Sequence, residues 1–289
     1  MTSNDSSPAR SFGSVAAAYD HARPDYPAKA AAWLMGGDAR TVIELGAGTG
    51  KLTRVLVEQG HDVHAMDPDP EMLRVLQERL PGVRTSIATA EAIPAPDRSV
   101  DVVVAAQSFH WFDPEAALPE IARVLKPGGH IALVWNERDE RIPWVRRLGK
   151  VLGEQDQDNS ADAVVHSDLF GFVEDEKFAF WQTIDRVSIV DLARSRSNIA
   201  SLSEEDREAK LAEVSAFYAE YGRGMDGMQL PYQAHCFRAK VSDVRPRSRS
   251  ATADRPANED VETPADDEDG PTPPPADGDT GEFLLIDFR

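Results

Sequence analysis

Three glycines at alternate positions, Gly46, Gly48 and Gly50, follow a short apolar run in the segment VIELGAGTGKL. Glycine loses more conformational entropy on folding than any other residue, so this cluster indicates a tight turn, a close packing contact or a bound ligand. A dinucleotide-binding turn has the spacing G-x-G-x-x-G, whereas here the third glycine comes one residue early. Glu44, two residues before the first glycine, also makes the turn a poor host for pyrophosphate. The pattern favours a ligand that carries an ammonium group and positive charge.

A second carboxylate, Asp67, ends the next apolar run, 19 residues after Gly48. An acid at this position can accept both hydroxyl groups of an adenosine ribose. The alternative is a structural turn, because Asp-Pro pairs are common in turns and Asp67 begins the segment DPDP. Together with Glu44 and the glycine turn, the ribose-binding interpretation is the stronger one.

His110 lies in the segment SFHWF, which follows a long apolar run. It is the one histidine that we expect at a ligand-binding edge with aromatic neighbours, so we predict it as a general base or substrate ligand. The alternative is a structural histidine that packs against Trp111. Arg194 and Arg196 could attract a carboxylate substrate, or could lie on a solvated loop. No His or Cys pair has metal-ligand spacing, so we predict no metal site.

Apolar periodicity and breaking residues divide the first half of the chain into alternating helices and strands. The predicted helices are 28–35, 51–60, 70–82 and 113–129, and the predicted strands are 41–45, 62–67, 83–87, 100–107 and 130–136. Short connections and right-handed crossovers place such units in a parallel sheet with helices on both faces. Ligands bind these sheets beyond the carboxyl ends of the strands.

The second half gives weaker signals. We predict strands at 178–183 and 231–240 and a helix whose start resembles a capping box formed by Ser203 and Asp206. From residue 242 onward proline and acidic residues dominate, so 242–289 is predicted to be a disordered acidic, proline-rich tail that ends in FLLIDF. Residues 1–10 are predicted to be a flexible N-terminus, and 11–240 one domain.

The composition narrows the possible partners. The 289 residues carry a formal net charge of −19, and a surface this acidic repels phosphate backbones and anionic membranes, so we expect no nucleic-acid and no membrane partner. Cys236 is the single cysteine, which excludes an internal disulfide. The N-terminus lacks a basic and then apolar stretch and no run is long enough to span a membrane, so we expect a cytoplasmic protein.

Four or five motifs occur in the order expected of one family: VIELGAGTG, the strand that ends at Asp67, TAEAIP at 89–94, VDVVVAAQSFHWF and RVLKPGGHIALVWN. With these motifs the chain resembles the class I S-adenosylmethionine-dependent methyltransferases over roughly residues 11–240. Its small-molecule branch, with the trans-aconitate and ubiquinone/menaquinone-type enzymes, is the most similar. The resemblance implies an α/β, Rossmann-like, doubly wound and mostly parallel seven-stranded sheet with a C-terminal antiparallel hairpin.

The resemblance also implies a cofactor site for S-adenosylmethionine, whose product is S-adenosylhomocysteine. The turn of Gly46, Ala47 and Gly48 would hold the methionine part beside Glu44, and Asp67 would bind the ribose. The other implied contacts are Pro68 and Met72 along the adenine, Ala90 and Glu91 at the adenine edge, Gln107 near the sulfonium, and Tyr19 and Arg23 closing over the cofactor. Thr89 stands where many related enzymes carry an aspartate that holds the adenine amine.

The activity that the resemblance implies is methyl transfer to a small-molecule acceptor by in-line displacement. Within the domain, residues 11–37 would form an N-terminal lid and helix, and 138–230 would form insertions on the substrate side. One alternative is a non-catalytic protein that binds S-adenosylmethionine or a protein partner. A nicotinamide-dependent oxidoreductase is disfavoured by the glycine spacing.

Overall fold

The structure is a computed structural model that describes residues 23–38, 40–153, 161–222 and 227–242. The chain divides between Arg247 and Ser248, and all of the described residues lie in the first unit. Residues 243–289 of the predicted disordered tail, the predicted flexible N-terminus and Tyr19 lie outside the described residues. Described helices are α1 Ala28–Met35, α2 Lys51–Glu58, α3 Pro70–Arg79, α4 Pro114–Val124, α5 Pro143–Leu152, α6 Ala161–Val165, α7 Arg186–Arg194, α8 Ser197–Ala200 and α9 Glu204–Tyr221.

The strands of the described chain form one seven-stranded sheet in the order β3-β2-β1-β4-β5-β7-β6. Their bounds are β1 Thr41–Leu45, β2 Asp62–Asp67, β3 Arg84–Ile87, β4 Val100–Ala106, β5 Leu125–Arg138, β6 Phe170–Ile184 and β7 Met228–Val241. Strands β1 to β5 are parallel, and β7 is antiparallel to both of its neighbours. The predicted mostly parallel sheet with an antiparallel C-terminal pair is confirmed. Helices α7 to α9 lie in the connection between β6 and β7.

Each of the central strands is buried on both faces, as expected for a parallel sheet covered by helices. In β1, Val42 packs with α1 and α2 on one face, while Ile43 and Leu45 pack in the cluster that contains α4 and α6. A third apolar cluster joins α5, α7 and α9 to the ends of β6 and β7, including Tyr232. This third cluster places the predicted substrate-side insertions beside the carboxyl end of β5.

Helices α3 and α4 each begin at an Asp-Pro pair, and the contacts of that pair explain why the helices start there. Asp69 accepts a hydrogen bond from the Glu71 amide at 2.8 Å at the start of α3, and Asp113 accepts one from the Glu115 amide at 3.1 Å at the start of α4. In each helix the proline occupies the first position, where a missing N–H costs nothing. Asp69 and Asp113 are therefore the N-caps of these two helices.

One helix was predicted too long and two strands were predicted too short. The helix predicted over 113–129 ends at Val124, because β5 begins at Leu125, where that residue pairs with Val100 across an irregularity in the register. Pro119 lies on the exposed side of α4, and the helix continues through it. The strands predicted at 178–183 and 231–240 exist, and both are longer than predicted.

Candidate functional site

The glycine turn connects the end of β1 to the start of α2. Gly46, Gly48 and Gly50 have φ angles of +69°, +56° and +86°, a region that residues with a side chain rarely adopt. A Cβ at Gly46 would overlap the side chain of Ser108, and one at Gly50 would come within 2.8 Å of Leu76 Cγ. No atom lies within 4 Å of a Cβ built at Gly48. Two of the glycines therefore allow close packing, and Gly48 faces open space.

Glu44 lies at the end of β1, with its side chain directed under α2. It is 1 % exposed, and Thr53 Oγ1 donates a hydrogen bond to Glu44 Oε2 at 2.6 Å. Burial raises the pKa of Glu44 to about 8, and the nearby Asp67 adds to the rise, while the Thr53 hydrogen bond opposes it. A cationic group next to Glu44 would favour its ionised form.

Asp67 lies at the end of β2, behind the glycine turn. Its Oδ2 accepts a hydrogen bond from the Gly48 amide at 2.9 Å, and its Oδ1 accepts one from the Asp69 amide at 2.9 Å. Burial raises the pKa of Asp67 above its usual value, and these two backbone hydrogen bonds act against that rise. The 19-residue spacing thus corresponds to direct contact between the turn and the carboxylate, and each carboxylate oxygen can accept further bonds.

A cavity opens in front of the turn and encloses about 460 Å³, including the part open to solvent. Its lining comes from four parts of the chain: the segment before α1, the β1–α2 turn, the end of β4 and the end of β5. The residues are Arg23, Pro24, Tyr26, Glu44, Gly46, Ala47, Gly48, Thr49, Lys51, Leu52, Ala106, Gln107 and Asn136. Of the predicted site residues, Arg23, Glu44, Gly46, Ala47, Gly48 and Gln107 therefore lie around one space.

Gln107 and Asn136 line this cavity after β4 and near the end of β5. Gln107 has a φ angle of +57°, and its Nε2 donates a hydrogen bond to the Asn136 carbonyl oxygen at 3.3 Å. Asn136 is 9 % exposed; its Nδ2 donates to the Asp25 carbonyl oxygen at 3.4 Å, and its Oδ1 has no hydrogen-bond partner among the described residues. A buried acceptor without a partner, beside a cavity, is an available contact for a ligand.

The segment before α1 crosses the cavity and is held on both sides. The Arg23 guanidinium donates to the Ser195 carbonyl oxygen at 3.0 Å and to Ser195 Oγ at 3.2 Å, at the carboxyl end of α7. Asp25 pairs with Lys51 at 3.0 Å and with Arg54 at 3.2 Å in the first turns of α2. Arg23 thus lines the cavity, and its predicted role of closing over the cofactor stays a prediction.

The predicted adenine contacts do not line this cavity. Met72 is buried against Val75, Pro68 is half-buried, and Ala90 belongs to the core cluster that contains α4. Glu91 Oε1 accepts a hydrogen bond from the Asp113 amide at 3.0 Å, which fixes the loop after β3 to the start of α4. The roles given to these four residues stay predictions.

His110 lies on a short 3₁₀ helix, Phe109–Trp111, after β4. It is half-buried, its ring centroid lies 4.7 Å from that of Trp111, and it is not part of the cavity lining. Its catalytic role stays a prediction. In the described residues, no group of three or more His, Cys, Asp or Glu side chains could hold a metal ion. None of the described helices is long and apolar enough to cross a membrane.

Neither Ser108 nor Asn136 was among the site residues predicted from the sequence. Ser108 Oγ donates a hydrogen bond to the Leu45 carbonyl oxygen at 2.8 Å, and its Cβ occupies the space that the missing side chain of Gly46 leaves. The signal available for both residues was their position, since Ser108 directly follows the predicted strand 100–107 and Asn136 ends the predicted strand 130–136, at the ligand-binding edge of the sheet.

Comparison with known proteins shows that this chain is similar to methyltransferases. A family model described as a methyltransferase domain matches residues 43–133. An uncharacterized methyltransferase of Mycobacterium tuberculosis is 44 % identical over 234 residues, which cover 80 % of this chain and 96 % of the relative. A trans-aconitate 2-methyltransferase of Azoarcus sp. is 32 % identical over 216 residues, which cover 67 % of this chain and 83 % of the relative.

Solved structures agree at the level of the fold. A structure described as a type II methyltransferase from Anaeromyxobacter dehalogenans superposes with a TM-score of 0.57 at 26 % identity and covers 76 % of this chain and 97 % of that one. Phosphoethanolamine N-methyltransferase 2 of Haemonchus contortus, solved in complex with S-adenosylmethionine, superposes with a TM-score of 0.50 at 17 % identity, over 83 % of this chain and 61 % of that one.

Proposed function

The chain belongs to the class I S-adenosylmethionine-dependent methyltransferases, and on that premise we propose that its cavity binds S-adenosylmethionine and that it methylates a small-molecule acceptor. The observation that carries the proposal is the hydrogen bond between the Gly48 amide and Asp67. Through that bond, the open side of the turn and a carboxylate suited to ribose hydroxyls form one site. The naming of the Azoarcus relative for trans-aconitate supports a small acceptor.

The residues present fit this cofactor. Glu44 offers a buried carboxyl group to an ammonium, and the buried Asn136 Oδ1 offers an acceptor without a partner in the described chain. Gly48 leaves space in front of the turn, where an approaching ligand would meet backbone rather than a side chain. Asp67 is already oriented by two backbone amides, so little side-chain entropy is lost when it accepts a hydroxyl group.

When bound, S-adenosylmethionine supplies an electrophilic methyl group on a sulfonium. The contribution of the protein is then mainly position and exclusion of water, because in-line displacement needs the acceptor aligned behind the methyl carbon. The Gln107 side chain is held at the cavity by its hydrogen bond to the Asn136 carbonyl oxygen, and Arg23, Pro24 and Tyr26 of the segment before α1 also line the cavity. His110 would accept a proton only from an acceptor that must lose one.

A pair of glycine variants tests the proposal. Gly48→Ala and Gly60→Ala both place a methyl group at a positive φ, +56° and +85°, with no atom within 4 Å. Each should therefore lower the free energy of unfolding by a similar amount, about 1–2 kcal/mol. Only Gly48→Ala should weaken S-adenosylhomocysteine binding in calorimetry, by about tenfold or more, because its methyl group points into the cavity. Equal affinity in the two variants would remove the turn from the site.

The two alternatives have their own tests. Micromolar binding of NADH without any binding of S-adenosylhomocysteine would favour an oxidoreductase. Tight binding of S-adenosylhomocysteine, combined with no labelled product from a methyl-labelled donor across a broad acceptor panel, would favour a non-catalytic binding protein.

A further inference from the structure

Beyond Asn136, the same face of β5 continues to Arg138, the last residue of the strand. Residues 130–138 of β5 pair with 240–232 of β7 without a register shift, so Arg138 lies directly opposite Tyr232. Side chains two residues apart on a strand share a face and are about 7 Å apart. Arg138 and the opposite Tyr232 therefore lie about 7 Å along the sheet from Asn136, which lines the cofactor cavity.

Arg138 and Tyr232 are both buried. The Arg138 side chain is 2 % exposed; it donates to the Gly153 carbonyl oxygen at 3.2 Å and pairs with Glu140 at 3.1 Å. Tyr232 is 4 % exposed and stacks on Phe180 with ring centroids 5.4 Å apart. Burying a guanidinium is costly unless it is paired, and Glu140 and the Gly153 carbonyl oxygen partly offset that cost for Arg138.

Two more arginines lie at the carboxyl end of α7. Arg23 lines the cofactor cavity and is held by both polar groups of Ser195, and Arg196 is the next residue in the chain. Burial raises the pKa of Tyr232, and the positive charges of Arg138, Arg23 and Arg196 act in the opposite direction, so all three guanidinium groups act on the phenol. Arg194 differs, because it is exposed on α7 and pairs with Asp191 at 3.3 Å.

We propose that the arginine cluster, which consists of Arg23, Arg138, Arg196 and Tyr232, binds an anionic group of the methyl acceptor, a carboxylate or a phosphate. This inference rests on the proposed function and adds the substrate class. Guanidinium groups bind both oxyanions through paired hydrogen bonds, and a phenol donates a further one. Because Arg23 belongs both to the cavity lining and to the cluster, an anion bound there lies beside the cofactor cavity, where an acceptor must be.

The experiment titrates the full-length protein, saturated with S-adenosylhomocysteine, with citrate, with inorganic phosphate and with the neutral triethyl citrate. We expect saturable binding of at least one anion and none of triethyl citrate; the anion that binds more tightly identifies the carboxylate or phosphate preference. Arg196→Gln should weaken anion binding by about ten- to a hundredfold, the range for one charge-assisted contact. The matched control, Arg194→Gln, should leave the affinity unchanged.

Arg138→Lys is a second variant, but a buried arginine that also bonds the Gly153 carbonyl can be needed for folding, so Arg196→Gln decides the result. The inference fails if S-adenosylhomocysteine binds and neither anion does, or if Arg196→Gln and Arg194→Gln bind the anions equally. A protein that does not bind S-adenosylhomocysteine contradicts the proposed function instead, so the two failures are distinguishable.

Discussion

At the scale of single residues, Glu44 is a buried, titratable side chain that lines the cavity. It is held by one hydrogen bond from Thr53, and its pKa is raised from 4.5 to about 8, first by burial and then by the charge of Asp67. The unfolded chain releases this proton near pH 4.5, whereas the folded protein keeps it until about pH 8. Between these values the folded state binds more protons, so the free energy of unfolding falls as the pH rises.

Glu44→Gln should remove this dependence while keeping an acceptor for Thr53. We expect the unfolding free energy of the unchanged protein, relative to the variant, to fall between pH 5 and pH 8. The limit is about 5 kcal/mol, since one pKa unit corresponds to about 1.4 kcal/mol. Urea unfolding at several pH values measures it, with the exposed Glu58→Gln as control. A constant difference between the unchanged protein and Glu44→Gln across this range would contradict a raised pKa.

Sequence reasoning identified the part of the candidate site that residue type and spacing indicate. Gly46, Gly48 and Asp67 carry their information in type and spacing, and the structure joins the turn to the carboxylate by one hydrogen bond. The types and spacing of Ser108 and Asn136 carry no such information, because the contacts of these residues depend on which parts of the chain the fold brings next to them.

At the scale of secondary structure elements, α7 positions the cluster that the acceptor is proposed to bind. Its N-cap is Asp185, whose Oδ1 accepts hydrogen bonds from the Val187 and Ser188 amides at 2.9 and 2.7 Å. Ser188 Oγ completes a capping box by accepting from the Asp185 amide at 2.7 Å. At the other end of α7, Ser195 receives Arg23.

Asp185→Ala should lower the free energy of unfolding by about 0.5–2 kcal/mol, the usual effect of removing an N-cap. Because the cap supports the helix that ends next to Arg196, we also expect weaker citrate or phosphate binding by the S-adenosylhomocysteine complex. Asp185→Asn is the matched control, since asparagine caps helices about as well as aspartate. If both variants lose equal stability in urea unfolding, the charge of Asp185 matters rather than its role as a cap.

The elements differed in how far the sequence could predict them. β1 and β2 were predicted with their observed ends because glycine or aspartate borders an apolar run. β6 was predicted only at 178–183, whereas it spans Phe170–Ile184 as an edge strand with most residues exposed, so its pairing with β7 leaves little apolar pattern to read. Helices α5 and α7 were not predicted either, because their apolar faces pack against one another in a separate cluster. The five-residue helix α6 was also not predicted, and its buried residues pack against the sheet in the first cluster.

At the scale of the whole molecule, the net charge is unevenly distributed. Residues 248–289 contain 12 acidic and 3 basic side chains, so they carry −9 of the total −19. The remaining 247 residues carry −10, yet they contain Arg23, Arg138 and Arg196, whose charges act on one buried phenol. An anionic acceptor would therefore approach a chain that repels it at long range and attracts it at the site.

Truncation after Arg247 tests whether the acidic segment 248–289 weakens the binding of an anion at the arginine cluster. The S-adenosylhomocysteine affinity and the thermal midpoint should stay unchanged, because the sheet, the cavity and the arginine cluster all precede this point. At low ionic strength the truncated protein should bind citrate up to about tenfold more tightly than the full chain, since −9 of charge has been removed. The difference should disappear in about 1 M salt, where the screening length is about 3 Å.

The control for this truncation replaces residues 248–289 with a Gly/Ser segment of the same length. If charge is the cause, this variant should bind citrate as the truncated protein does at every salt concentration. If it binds as the full chain does, chain length rather than charge limits access to the cavity. A lower thermal midpoint in both variants would instead mean that the last 42 residues contribute to the stability of the folded unit. Both variants lack the native side chains of this segment, so a shared loss of stability would come from those side chains.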